Sequence, residues 1–266
     1  MEQSVTVPPA QRKRDVESIS SFVAQSIDDA RLVEKPFPHL EFDRVFPDDV
    51  YERILELMPQ SADYRPMHGR SKKRNSSGAH TRVKIDLFPE YIRHLPPEKR
   101  AFWNAVGKAL RSDKVLEALR RRLAPALESR HGAGSNRVGM FPIPVLTRDI
   151  PGYSISPHPD THWKGITVQL YLPPDDSHAN IGTVFHDVLP NGKLARSTQM
   201  RFARNCGYAF AVDTDTWHSA DKVPPDVKSR DSILLTYFVD QGPLRILRNR
   251  GKRLGNFVLN ELRQYF

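Results

Sequence analysis

The sequence has almost no cysteine, since only Cys206 among 266 residues carries a thiol. An internal disulfide needs two cysteines, so a disulfide-stapled scaffold is excluded, and a single thiol is typical of a reducing cytoplasm. A zinc or iron–sulfur centre held by cysteines of one chain is excluded as well. A metal site in this chain would therefore be built from histidine and oxygen ligands.

Long apolar runs are also lacking. No stretch approaches the ~18 apolar residues of a membrane-spanning helix. Residues 1–15 show no apolar core of a signal peptide. We therefore expect no membrane span and predict a cytoplasmic protein. Hydrophobic residues make up 39% and charged residues 27% of the chain, which is ordinary for one large globular domain with appendages.

Acidic residues are fewer than basic ones, so the chain has a net charge of +9 and a pI near 9.7. Such a charge would suit an anionic partner. However, no nucleic-acid-binding motif accompanies the basic residues, and we expect a solvated surface rather than a nucleic-acid interface. The alternative predicts binding to DNA or RNA that falls steeply with salt. The positive charge is spread along the chain, with local clusters at 12–14, 70–74, 120–122 and 245–253.

The first half of the chain has the apolar spacing of helices. Residues 1–14 are rich in polar and basic side chains and predict a disordered or loosely attached arm. Apolar residues recur at helical spacing over 15–33 and again over 98–129, with a break near Ser112. We therefore predict a layer of helices that precedes the rest of the fold.

Between these helices the pattern is less regular. Asp48 and Asp49 are predicted to cap a short helix over 50–58. The polar, basic stretch 61–82 predicts a long mobile loop, which is either a lid over a binding site or a segment without function.

The second half changes to the two-residue period of β-strands. Short alternating segments are separated by turn-rich sequence, which predicts a sandwich or barrel. A further segment, 138–146, is interrupted by two prolines. The basic tail 244–266 is predicted to form a terminal helix packed on the barrel, with a membrane-surface helix as the alternative. The predicted strands cover 166–172, 183–187, 208–212 and 232–239.

A set of metal-ligand residues lies in this β-rich half. Because residues i and i+2 of a strand point to the same face, His158 and Asp160 would project together, with Pro159 directed away. A third ligand must then come from an opposing strand, and His218 follows the predicted strand 208–212. Two histidines and one carboxylate form the facial triad that binds non-haem Fe(II) and leaves positions open.

Other histidines are weaker candidates. His162 lies four residues after His158, a spacing that brings side chains together only on a helix, and the neighbouring prolines argue against a helix there. His178 is a further nearby alternative. His186 and Asp187 would point to opposite faces of a strand, which makes them a poor chelating pair.

An arginine begins the last apolar strand. Arg230 lies twelve residues after His218, and burying it there would be costly without a counter-ion. A bound dicarboxylate would supply one, because guanidinium pairs with carboxylate in a fixed fork. Ser232 shares the face of Arg230 and could donate a hydroxyl. The competing interpretation is a surface ion pair with Asp231 or Asp226.

Together these motifs resemble the iron(II)/2-oxoglutarate-dependent oxygenase superfamily. The resemblance rests on Arg148-x-x-Pro-Gly-Tyr153, His158-x-Asp160, the strand over 166–172, and His218 followed by Arg230. The chain is particularly similar to bacterial stand-alone members near the prolyl-hydroxylase and phytanoyl-hydroxylase groups. The resemblance covers residues 140–240 approximately and, less strongly, residues 36–60.

The resemblance implies a mainly β fold with flanking helices, in which N-terminal helices buttress a double-stranded β-helix (jelly-roll) core. The chain then divides into an N-terminal arm and short helix over 1–35, an oxygenase domain over 36–240, and a basic helical tail over 241–266. The jelly-roll core is expected at about 138–240.

The resemblance also implies roles for individual residues. His158, Asp160 and His218 match the iron ligands. Arg230 and Ser232 match partners of the C5 carboxylate of 2-oxoglutarate. Tyr171 corresponds to a tyrosine that reaches the same carboxylate, and Arg148 to a residue near the metal-bound end of the cosubstrate.

The implied cofactors are Fe(II), 2-oxoglutarate as cosubstrate, and O₂. The implied reaction hydroxylates an unactivated C–H bond of a small molecule, with an anionic group as one option, while 2-oxoglutarate yields succinate and CO₂. Because halogenating relatives replace the ligand carboxylate by a small residue, Asp160 favours hydroxylation or desaturation. The alternatives are hydroxylation of a protein side chain and a cupin-type metal enzyme that uses no 2-oxoglutarate.

Overall fold

The structure, a computed structural model of the chain, describes residues 9–67, 74–135 and 138–240, with side chains from residue 15 onward. The helix predicted over 244–266 lies outside the described residues. Within the described part, no helix has both the length and the apolar character needed to cross a membrane.

The helical layer comes first in the chain, as predicted. The break expected near Ser112 is confirmed, because its side chain accepts a hydrogen bond from the Val115 N–H and so starts a new helix. The α-helices of the described residues are α1 (Pro9–Asp29), α2 (Asp48–Glu56), α3 (Pro97–Leu110), α4 (Asp113–Arg122) and α5 (Ala124–His131).

The strands form two antiparallel sheets. The first four are β1 (Arg31–Val33), β2 (His39–Phe42), β3 (Arg65–Pro66) and β4 (Arg82–Asp86). The others are β5 (Met140–Asp149), β6 (Ile155–His158), β7 (Lys164–Tyr171), β8 (Thr183–Val188), β9 (Leu194–Gln199), β10 (Gly207–Ala211), β11 (His218–Ala220) and β12 (Arg230–Val239).

The strand order identifies the fold. The larger sheet runs β1-β2-β10-β7-β12-β5-β4-β3 and the smaller one β6-β11-β8-β9. Strands β5 to β12 are shared between the two sheets, which is the topology of a double-stranded β-helix. This confirms the predicted jelly-roll core. Strands β1 and β2 extend the larger sheet at one edge, and β3 and β4 extend it at the other.

Side chains along the larger sheet point alternately toward the helices and into the jelly roll. On β7, Ile166, Val168 and Leu170 belong to the apolar cluster formed with the helices. The residues between them point into the jelly roll, where Tyr171 joins a second buried cluster. The larger sheet therefore has one face covered by helices and another that faces the smaller sheet.

The structure corrects several predictions in the first half. Helix α1 begins at Pro9, so residues 9–14 are helical rather than part of a disordered arm. It ends at Asp29, and β1 occupies 31–33 because that segment pairs with β2. Asp48 and Asp49 lie in the first turn of α2 rather than at its N-cap, which is Pro47.

The stretch 61–82 is not one long loop. It contains β3, and an isolated bridge pairs Arg74 with His80 before the chain enters β4 at Arg82. Backbone pairing with β5 draws this end of the stretch into the larger sheet. Residues 68–73 lie outside the described part of the chain.

Strand β5 is continuous despite Pro142 and Pro144. Both prolines pair with β12, opposite Tyr237 and Leu235. On the other side of β5, the register with β4 begins only at Val145. The missing N–H groups therefore fall where β5 has a single neighbouring strand, which is where a sheet tolerates proline.

We expect the substitution Gly182→Ala to destabilise the fold by about 1–3 kcal/mol, the usual cost of overpacking. Gly182 immediately precedes β8, and a Cβ added there would overlap the carbonyl oxygen of Met200 and lie 3.2 Å from the Tyr171 hydroxyl. Urea unfolding of both proteins would measure the change in free energy. An unchanged free energy would show that this contact yields without cost.

Candidate metal centre and its pocket

The three predicted metal ligands come together. His158 ends β6 and His218 begins β11, and the two residues are direct partners across these strands, with ring centroids 4.5 Å apart. One ligand atom from each of His158, Asp160 and His218 lies within 4.8 Å of the others. Among the residues that the structure describes, this is the one group of three such side chains able to hold a metal ion.

Each of the two histidine rings is oriented by the backbone carbonyl of the residue two positions earlier. The Nδ1 of His158 lies 2.8 Å from the carbonyl oxygen of Ser156, and the Nδ1 of His218 lies 3.0 Å from that of Thr216. A carbonyl oxygen can only accept, so Nδ1 carries the proton in each neutral ring and Nε2 bears the lone pair. This is the usual way in which a metal-binding histidine is held.

The protonation states also suit a metal. Burial lowers the pKa of His218 to about 4, and the neighbouring Asp160 only partly opposes that effect. Burial alone would raise the pKa of Asp160, but Lys164 and His218 lower it to about 2. At neutral pH His218 is therefore neutral and Asp160 ionised, the forms in which these groups bind metals.

The carboxylate ligand has fixed neighbours. Lys164 Nζ donates to Asp160 Oδ1 at 2.6 Å, and the Thr167 hydroxyl donates to Oδ2 at 2.7 Å. Both partners lie on β7, which follows the ligand in sequence. Two donors from one strand therefore orient the carboxylate.

Arg130 anchors the same segment to the helical layer. From α5 its guanidinium donates to the backbone carbonyls of His162, Lys164 and Val212. The connection between β6 and β7, which carries Asp160, is therefore held by an arginine outside the jelly roll.

The alternative histidines lie outside the ligand group. His186 is bonded through Nε2 to the Ser219 hydroxyl at 2.8 Å. His162 packs its ring edge-on against Trp163. Two neutral imidazoles and one carboxylate at the pairing of β6 and β11 fit the donor set of a non-haem Fe(II) centre.

A pocket of about 340 Å³ opens beside the three ligands. Small ligands commonly occupy clefts of roughly this size. Hydroxyl and amide groups of β7, β8 and β10 line it together with one guanidinium. These lining residues are Thr167, Gln169, Thr183, Tyr208 and Arg82.

Arg230 is buried, but its counter-ion is neither Asp231 nor Asp226. Its guanidinium bonds to Asp149, the residue opposite it on β5, at 3.1 Å from Nη2, and donates through Nη1 to the Ile181 carbonyl at 2.6 Å. The surface ion pair considered above is therefore wrong. Asp149 is 1% exposed, so the pair lies in the interior.

Asp149 also binds a second arginine. Arg82 of β4 donates to both carboxylate oxygens through Nε and Nη2. Burial opposes the charge on Arg82, but Asp149 raises its pKa above the ordinary value, so the guanidinium stays charged. Both guanidinium groups lie over the ring of Tyr153. The distance from Cζ to the ring centroid is 4.1 Å for Arg82 and 5.8 Å for Arg230. We call Arg82, Asp149 and Arg230 the arginine cluster.

Two other predicted residues face the same interior. The Ser232 hydroxyl lies 2.8 Å from the Thr147 hydroxyl and accepts a hydrogen bond from Gln169. The Tyr171 hydroxyl accepts from the Thr183 backbone N–H at 2.9 Å. Burial raises the pKa of Tyr171, so its hydroxyl stays protonated.

Arg148 is not brought to this pocket. It pairs with Asp231 at 2.7 Å and lies 4.6 Å from the ring of Tyr64. Strand alternation is the reason, because Arg148 shares the face of Leu146, which packs toward the helices. The role suggested for Arg148 by the resemblance therefore has no support in this geometry.

Sequence reasoning missed Arg82, Asp149 and Lys164. One signal was available for Asp149. The dipeptides Arg148-Asp149 and Arg230-Asp231 are complementary when their strands run antiparallel in register, since each arginine then opposes an aspartate. Pairing of the first and last jelly-roll strands would have predicted both ion pairs.

Comparison with known proteins gives likeness in structure alone. No family model matches the chain, and no curated protein matches it. A prolyl-4-hydroxylase of Pseudomonas putida is 14% identical over 84% of this chain and 100% of its own, with a TM-score of 0.48. A 2OG-Fe(II) oxygenase family protein of Burkholderia pseudomallei is 13% identical over 83% and 89%, with a TM-score of 0.44.

A prolyl hydroxylase of Trichoplax adhaerens, solved with a peptide of the hypoxia inducible factor oxygen degradation domain, is 14% identical. That likeness covers 88% of this chain and 94% of the other, with a TM-score of 0.49. At these identities the likeness concerns the fold. The case for a function therefore depends on the site of this chain.

Proposed function

We propose that this chain is an Fe(II)/2-oxoglutarate-dependent oxygenase that hydroxylates a small molecule. The observation that carries the proposal is the joint presence, inside one jelly roll, of a His-Asp-His ligand group and a buried arginine cluster. A cupin-type metal site needs the first of these but has no use for the second. The sequence resemblance stated above supports the same conclusion.

The metal would be held by His158, Asp160 and His218. When bound, Fe(II) and 2-oxoglutarate would supply the oxidising chemistry, in which O₂ is reduced while the cosubstrate loses CO₂ to give succinate. The protein holds the ligand carboxylate through Lys164 and Thr167. Hydrogen bonds to backbone carbonyls keep both imidazoles in the ligating tautomer.

The cosubstrate would lie along the pocket wall. Its keto-carboxylate end would bind at the metal held by the His-Asp-His group, and its distal carboxylate would bind at the arginine cluster. The hydroxyl groups of Thr183 and Tyr208, which are 2.9 Å apart, line the same pocket. Thr167, Tyr208 and His218 are buried residues of this lining and would shield the reacting end from bulk water.

A small-molecule substrate with an anionic group is the part of the proposal that depends on the pocket itself. A volume of about 340 Å³ suits a compact ligand. Lys164 lines this pocket beside the metal ligands, with its ammonium paired to Asp160. Comparing small carboxylates and phosphates with peptides as stimulants of succinate release would distinguish this substrate from a protein side chain.

Removal of the metal provides the test of the reaction class. With Fe(II), O₂ and 2-oxoglutarate, the protein is expected to release succinate slowly even without a substrate. A chelator should reduce the rate to background, and Fe(II) should restore it. Zn(II) should not, because it has no redox chemistry. Succinate release that survives chelation, or that Zn(II) supports equally well, would contradict the proposal.

A further inference from the structure

We infer that Arg82, from a strand outside the jelly roll, makes the direct contact with the distal carboxylate of the cosubstrate, and that Arg230 acts behind it through Asp149. This inference rests on the proposed function and deepens it. It differs from the sequence expectation, which gave the contact to Arg230.

The first reason is where the two guanidinium groups lie. Arg82 lines the pocket beside the metal ligands, whereas Arg230 is not among the described residues that line it. Every nitrogen of the Arg230 guanidinium already donates a hydrogen bond, two of them to Asp149 and one to the Ile181 carbonyl. Three of its five N–H groups are thus engaged, against two for Arg82, and the remaining ones belong to a side chain that does not line the pocket.

Arg82 is differently placed. Asp149 engages its Nε and Nη2, and its Nη1 has no hydrogen-bond partner among the described residues. The side chain is 14% exposed, against 5% for Arg230. A guanidinium held along one edge by a carboxylate can present its remaining N–H groups to a second carboxylate.

The second reason is the charge of the cluster. Two guanidinium groups share one carboxylate, so the cluster has one net positive charge. An uncompensated charge in a buried site is costly. A ligand carboxylate would neutralise it, and Arg82 is the member of the cluster that such a ligand can reach from the pocket.

The third reason is the path from the metal. Asp160, Tyr208 and Arg82 all line the pocket that opens at the metal ligands. Thr183 lines the pocket too, and its hydroxyl accepts a hydrogen bond from the Tyr208 hydroxyl at 2.9 Å. A dicarboxylate with one end at the metal would therefore lie in the same pocket as the Arg82 guanidinium.

The contact depends on β4, a strand that lies outside the jelly roll and extends its larger sheet. Arg82 is the first residue of β4, and backbone pairing sets it opposite Asp149 on β5. The same Asp149 is opposite Arg230 on β12. Asp149 is therefore a positioning residue that holds Arg82 at the pocket and is itself held by Arg230.

The test compares 2-oxoglutarate with 2-oxopentanoate, which lacks the distal carboxylate. Affinities for the Fe(II) protein would be measured without O₂ by calorimetry, and their ratio reports recognition of that carboxylate. In Arg82→Gln this ratio should fall about 10- to 100-fold, the worth of one charge-assisted hydrogen bond. In Arg230→Gln it should fall less, and Arg230→Lys should recover most of the loss.

Controls separate this inference from a general loss of structure. Each single glutamine variant leaves Asp149 with one arginine, so a neutral pair remains buried. Arg82→Lys keeps the charge and should give an intermediate ratio. Arg148→Gln removes a similar ion pair on the other face of β5 and should leave the ratio unchanged. Fe(II) affinity should stay constant throughout.

The outcomes are distinct. If the unmodified protein shows no preference for 2-oxoglutarate, the proposed function itself fails. The second case is an unmodified protein that prefers 2-oxoglutarate. If Arg82→Gln then keeps this preference, or loses no more of it than Arg230→Gln does, the inference about Arg82 is overturned while the proposed function stands.

Discussion

Replacement of Asp160 by alanine is expected to abolish iron-dependent succinate release and to weaken Fe(II) binding by more than about 100-fold, beyond the usual effect of losing a second-shell partner. Asp160 provides the only charge among the three ligands, and the ligand atoms of the group lie within 4.8 Å of one another. The substitution also leaves Lys164 without its ion-pair partner, next to the place where a cation must bind.

The matched control for this prediction is His162→Ala. His162 is the nearest histidine in sequence to the ligand pair, but it packs against Trp163 instead of joining the ligand group. Fe(II) affinity, measured anaerobically by competition with a chelator of known strength, should be unchanged in this control. Equal losses in the two variants would contradict the ligand assignment.

Replacement of Asp149 by alanine is expected to lower the free energy of unfolding by about 3–5 kcal/mol, the usual cost of breaking a buried ion pair on one side. Asp149 is 1% exposed and is bonded to both Arg82 and Arg230. Without it, two guanidinium groups would remain buried side by side with no carboxylate between them. Few single substitutions in this chain should cost more.

Urea unfolding would measure this loss, with Asp221→Ala as the control. Asp221 also pairs with an arginine, Arg196, but both side chains are about half exposed. Exposed pairs of this kind contribute roughly 0–1 kcal/mol. A loss in Asp149→Ala that was no larger than in Asp221→Ala would show that the arginine cluster adds little to stability.

Much of the jelly roll could be predicted from the sequence because its strands have a clear period. The sequence predicts strands β7, β8, β10 and β12 to within two residues of their observed bounds. The ligand group followed from the same period, since His158 and Asp160 are two residues apart and His218 follows a strand. The prediction failed where strands are short or polar, as in β3, β4 and β9.

The second half of the pocket could not be predicted for a related reason. Arg82 lies at the end of a basic stretch whose composition resembles that of a surface loop, and only backbone pairing with β5 draws it inward. Arg148 does not line the pocket, because the face to which a residue points depends on the register of its strand. Two prolines in β5 hide that register in the sequence.

The central claim, that this chain binds iron and 2-oxoglutarate at one site, is tested most directly by anaerobic titration with Fe(II) and 2-oxoglutarate. We expect a weak visible charge-transfer band that saturates with one equivalent of each and is absent in His218→Ala. Bound iron without this band would move the chain toward the cupin-type alternative. Failure to bind iron at all would contradict the assignment of His158, Asp160 and His218 as a metal centre.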